Sequence, residues 1–66
     1  MDTFIAYVIQ DSIQKRYLAG SSQHPHWFQD LRLAKLFINP PLDILWDLQA
    51  QSVKCQIQTI RIAIEK

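Results

Sequence analysis

The chain has 66 residues, seven basic and six acidic, and a net charge of +1. That length allows one domain, near the lower limit at which a chain buries enough apolar surface to fold alone, and 48% apolar with 20% charged residues is globular rather than disordered composition. A balance so close to neutral lacks the basic face of a nucleic-acid binder and the polybasic run of a membrane-surface anchor.

Thr3-Phe4-Ile5-Ala6-Tyr7-Val8-Ile9 predicts a first strand, being β-branched and aromatic without a breaker. Gln10 to Lys15 is a polar turn in which Asp11 and Ser12 can bond their own backbone. Arg16-Tyr17-Leu18-Ala19 returns as the second strand of a hairpin, and Gly20 ends it, free to take a positive φ. Ser21 to His26 has no apolar periodicity and contains Pro25, so it reads as a loop.

Trp27 and Phe28 then lead into a short helix of about two turns. Asp30 is its N-cap; Leu31, Ala34 and Phe37, with Leu33 and Ile38 beside them, form an inward stripe, while Arg32 and Lys35 point away. Asn39-Pro40-Pro41 stops it, because residues before a proline are pushed out of the α region. Pro41 suits the first position of a second helix, which carries Ile44, Leu45 and Leu48 on one face, Leu42 and Trp46 on its flank and Asp43 in its first turn. Ser52 ends that helix.

Val53 to Glu65 is the last strand, and its pattern changes phase. Val53, Cys55 and Ile57 alternate on odd positions, Ile60, Ile62 and Ile64 on even ones. Either a β-bulge near Gln58-Thr59 or a strand burying opposite faces in its two halves accommodates both sets, and the bulge is the favoured reading.

The expected fold is a single domain over residues 1–66, an α+β two-layer β-β-α-α-β arrangement: a three-stranded antiparallel or mixed sheet with helices on one face. Its first strand offers Phe4, Ala6 and Val8 to one side and Ile5, Tyr7 and Ile9 to the other. So short a chain supplies no second layer, and a dimer contact or a protein partner is expected to cover the remainder.

No motif for catalysis stands out: no nucleophile elbow, no glycine-rich phosphate loop and no close carboxylate pair in an apolar setting, Asp43 and Asp47 reading as a solvated helix face. A non-enzyme without a cofactor is expected. His24 and His26 flank Pro25 and form a weak metal candidate with Asp30 or Cys55 as a third ligand, short of the four protein ligands of a structural zinc site. Cys55, the single cysteine, excludes an internal disulfide and reads as a small buried hydrophobe. No run approaches the ~18 apolar residues of a membrane span and no signal-peptide pattern opens the chain, so the cytoplasm is the expected compartment.

Among the aromatics, Trp27 is expected in the core and Trp46 at an interface. Trp46 with Leu42 would form an apolar anchor, with Arg32 and Lys35 as a polar rim. Lys54, Gln56 and Gln58 on the solvent side of the last strand make a second surface, where an edge could pair with another chain.

Tyr7-Val8-Ile9, Arg16-Tyr17-Leu18-Ala19-Gly20, Trp27 and Asp30-Leu31-x-x-Ala34-x-x-Phe37 together resemble short proteins commonly encoded by phages and prophages, which share a Y-V-I…K-Y-L…W…D-L-x-x-A-x-x-F pattern, a further helix and a closing β-branched strand. The Pro-Pro junction and Ile44-Leu45-Trp46 differ from the charged helix such proteins often carry. The resemblance implies a mobile-element accessory protein and no particular reaction. The expected function is therefore a small protein-binding module that occludes a surface of a host or phage protein, as an inhibitor of a host enzyme or defence complex would. The alternatives are a self-assembling homodimeric subunit and a small nucleic-acid-associated regulator.

Overall fold

Two ten-residue stretches with the character suited to a pleated surface find each other across the chain. In the computed structural model, which describes residues 2–64, β1 (Asp2–Asp11) lies antiparallel to β4 (Cys55–Ile64). The ladder runs unbroken from Asp2 opposite Ile64 to Asp11 opposite Cys55. Glu65, assigned above to the last strand, lies outside the described residues. No bulge interrupts β4, which corrects the favoured reading of its phase change. Paired residues share a side of the sheet. Cys55 and Ile57 therefore share the side of Ile9, against the buried Leu48, whereas Ile60 and Ile62 turn with Phe4 and Ala6 to the other side.

Two further strands extend the sheet from β1, β2 (Tyr17–Gly20) and β3 (Pro25–Phe28), in the order β3-β2-β1-β4. The fold is α+β, as expected, but the described residues form four antiparallel strands and one α-helix, in place of the expected three strands and two helices. β3 takes up Pro25-His26-Trp27-Phe28, partly assigned above to a loop. A proline opening an edge strand forfeits no ladder bond. Leu18 opposite Trp27 and Gly20 opposite Pro25 close a hairpin whose Ser21–His24 loop is held by the His24 amide donating to Ser21 Oγ at 3.1 Å. Gly20 has φ +115°, and a Cβ there would lie 2.8 Å from the His24 carbonyl oxygen, so the turn requires glycine.

The predicted first helix is the larger correction. Only a single 3₁₀ turn, Leu31–Leu33, forms, capped by Asp30 as expected: its Oδ1 accepts from the Arg32 amide at 2.9 Å. No residue of that turn is buried, so the supposed inward stripe does not exist. The reason is the backbone of the sheet. β2 meets β1 in register only at Tyr17 opposite Gln10, and beyond that point the two part. Their exposed donors and acceptors need partners. The stretch Lys35–Phe37 supplies them by lying extended in the fork. The Lys35 amide donates to Leu18 O at 2.9 Å, and Tyr7 and Phe37 exchange both backbone bonds at 2.8 and 2.9 Å.

The helix α1 (Leu42–Ala50) follows the Pro-Pro junction, with Pro41 at its cap rather than its first turn and Asp43 just inside, where a carboxylate suits the helix dipole. It ends in a Schellman arrangement. Ser52, at φ +67°, donates its amide to Gln49 O, and Val53 donates to Leu48 O, both at 3.0 Å. That reversal delivers Cys55 to β4 and folds Val53 onto the core.

The core is small. Ile9, Leu18, Leu48 and Cys55 form its buried centre, with Trp27, Ile44, Leu45, Val53 and Ile57 packed around it. Trp27, expected in the core, is half-buried and packs against that centre. On the opposite side of β1, Ala6, Val8 and Gln10 are also buried, so the middle of the strand is covered on both sides. The Gln10 amide is satisfied there: Gln58 Nε2 donates to its oxygen, and its nitrogen donates to Lys15 O at 3.4 Å. The apolar surplus expected along the whole first strand is confined to its opening residues, Phe4 (42% exposed) and Ile5 (49%).

Candidate interaction surfaces

The face of α1 that meets the sheet is set by Leu48, Ile44 and Leu45. This leaves Leu42 and Trp46, one turn apart, on the flank, where they stand 46% and 59% exposed. A shallow groove of about 450 Å³ begins at Leu42 and is walled by Phe37, Asn39, Pro40, Pro41 and Ile44. Ile38, beside it in sequence, is 82% exposed. The groove exists because Phe37 is tied to Tyr7 while the Pro-Pro junction turns the chain into α1, a juxtaposition that a helical 31–38 would not produce.

Of the proposed polar rim, Lys35 belongs to this surface: its ammonium sits 5.4 Å from the centre of the Phe37 ring, a cation–π distance. Arg32 is committed to Asp30. Its Nη2 lies 2.9 Å from Oδ2 and its Nε 3.1 Å from Oδ1, a bidentate pair. The guanidinium's hydrogen bonds hold the Asp30 carboxyl below its ordinary range, and Arg32 is raised in turn.

Lys54, just ahead of β4 rather than on it, and Gln56 on the strand are exposed, but Gln58 is half-buried and bonded to Gln10, so it does not stand on a solvent face as read from the sequence. Asp47 is likewise more than a solvated carboxylate. It accepts from Ser22 Oγ at 3.2 Å while Gln51 Nε2 donates to Ser22 O at 3.0 Å, clasping the β2–β3 loop to the helix.

The remaining candidate chemistry does not assemble. Among the described residues no three of His, Cys, Asp and Glu converge as metal ligands, so neither Asp30 nor Cys55 joins His24 and His26. Cys55 is buried and free of disulfide, and contributes to the lining of a cleft with Ser12, Gln49, Ser52, Val53 and Lys54. Burial, and then the charge of Asp11 opposite, push its thiol up, which keeps it protonated and a poor nucleophile. Among the described residues no helix is long and apolar enough to cross a membrane.

What the sequence reading under-used is the backbone of β4. Tyr7 sends both its backbone groups away from β4, to Phe37, so the odd residues of β1 turn from β4 and the even ones toward it. Their partners on β4 are also even. Ile57, Thr59, Arg61 and Ala63 accordingly turn their N–H and C=O groups off the sheet, and among the described residues none of these groups has a partner. The run from Cys55 to Ile64 without a proline or glycine was the available signal. No protein-family model, curated protein or solved structure matches the chain.

Proposed function

We propose that this protein is a non-catalytic binding module that acts by covering a surface of another protein. The observation that carries the reading is the Leu42–Trp46 flank. An exposed tryptophan and leucine one turn apart, the leucine lining a groove whose walls also carry Asn39 and Asp43, form the kind of anchor that dominates protein interfaces. The phage-type sequence pattern supports a mobile-element accessory protein, and the near-neutral surface favours apolar contact over charge steering. Binding of this type inhibits by occlusion: the anchor docks, Lys35 and Phe37 extend the contact, and no bond is made or broken.

Because Trp46 stands outside the core, Trp46→Ala should shift stability by no more than ~0.5 kcal/mol. It should nevertheless abolish capture of a protein that the parent chain retains from a bacterial host lysate. Undiminished capture by a folded Trp46→Ala chain would remove the flank from the binding surface. A large drop in its thermal midpoint would assign the residue to the core.

A further inference from the structure

The sheet has two outer edges of very different kinds. β3 is four residues long and opens with a proline, two devices that discourage pairing with another chain. β4 has neither. It is ten residues long, unbulged and free of proline, and Arg61 is its one charged residue. Beyond Ala6 and Ile60 no third strand or helix among the described residues lies over the β1–β4 ribbon, and Phe4 and Ile5 are exposed on opposite sides. A two-stranded ribbon on its own is marginal in water.

We propose that the free edge of β4 pairs antiparallel with β4 of a second copy, joining the two sheets into one eight-stranded sheet across a two-fold axis. An antiparallel edge is complementary to itself: turned by half a rotation, the outward groups of Ile57, Thr59, Arg61 and Ala63 meet their own counterparts donor to acceptor. The side chains select the axis. At Arg61 it would set two guanidinium groups opposite one another. At Thr59 or Ile60 it uses nearly the whole strand and places Arg61 against Ile57 or Thr59 of the other copy. Nothing else charged lies on β4 to oppose the approach, and the chain's net charge of +1 adds little repulsion. The same symmetry keeps both helices on one side of the joined sheet, each toward the end where the other copy's ribbon is bare. This contact uses backbone remote from Trp46 in sequence and does not depend on the binding function proposed above.

Amide hydrogen exchange on the intact chain tests the pairing, alongside sedimentation from micromolar to millimolar concentration. The mass should rise to twice that of the chain. Over the same range the amides of Ile57, Thr59, Arg61 and Ala63 should slow by about tenfold or more, while those of Gln58, Ile60 and Ile62, already bonded to β1, change little. Thr59→Pro should leave a folded monomer, since the N–H it removes points off the sheet; the exchange pattern of the parent decides the matter if that variant does not fold. A chain that stays monomeric throughout, or a dimer whose four outward amides exchange as fast as in the monomer, overturns the proposal. Trp46→Ala should dimerise like the parent, so loss of capture and loss of pairing are read separately.

Discussion

Ser52 shows how a single residue carries strain in so small a protein. It occupies the left-handed region at φ +67° to let Val53 bond back to Leu48, a position that glycine normally fills. An L-residue costs about 1–2 kcal/mol there, and glycine returns about 0.5–1 kcal/mol of that as unfolded-chain entropy. Ser52→Gly should therefore stabilise the protein by about 0.5–1 kcal/mol, seen as a higher denaturant midpoint at constant slope. A lower midpoint would mean that the hydroxyl, not the backbone, matters at this turn. The contrast between Leu48 and Trp46, two residues apart on α1, comes from helix geometry, which sets them on nearly opposite sides. Leu48 is fully buried against the sheet with Ile9, Leu18 and Cys55, and Trp46 faces outward.

At the level of elements, the β1–β2 turn is the most electrostatically organised. Asp11 Oδ1 accepts from the Ile13 amide at 2.8 Å and the Gln14 amide at 3.2 Å, and Oδ2 lies 3.6 Å from Arg16 Nη2. The Ile13 bond is the largest cause of an Asp11 pKa below its ordinary 3.8; burial, the next in size, opposes it, and the Gln14 bond and Arg16 bring the net effect down. A carboxylate depressed in the folded state contributes stability that is present above its unfolded pKa and lost as pH falls through the folded one. Unfolding free energy should thus decline below about pH 4, and less steeply in Asp11→Asn, which keeps an acceptor but cannot titrate. Equal slopes for the two chains would show that the turn holds without the charge.

The same elements show what the sequence made legible. β1, β2, β4 and α1 were readable from local composition, because each satisfies its own periodicity or cap. β3 was hidden by Pro25, which looks like a breaker unless the strand is known to begin at an edge. Tyr17–Ala19 and Trp27-Phe28 on either side of a short polar turn were the clue. The false helix at 31–38 came from a genuine apolar spacing. What overrode it was the need of Tyr7 and Leu18 for backbone partners, a demand that no window of sequence around Phe37 contains. The phase change in β4 failed differently: helix cover reaches only the Cys55 end of the strand, and pattern alone does not say where a neighbouring layer stops. For the candidate surface, Trp46 and Leu42 were identified from helical spacing, whereas the groove beside them depends on the fork and was not.

Taken whole, the molecule measures 41 × 21 × 18 Å, elongated for its length, with its buried centre resting on four side chains. A domain of this size holds roughly 3–10 kcal/mol of stability. Removing Leu48 beyond Cβ costs about 2–5 kcal/mol, so Leu48→Ala should leave little or no cooperative thermal transition by circular dichroism. A melt matching the parent would show that the centre of the fold lies elsewhere.

The long ladder between β1 and β4 also fixes the order in which the polypeptide can finish folding. Asp11 waits for Cys55, and Asp2 for Ile64. At about 5–20 residues per second of synthesis, β1 leaves the ribosome a few seconds before its main partner exists. During that interval Phe4, Ile5, Val8 and Ile9 lack their main partner strand, and the β2–β3 hairpin, the strap ending at Phe37 and then α1, whose Leu48 packs with Ile9, are the elements already made that can shield them.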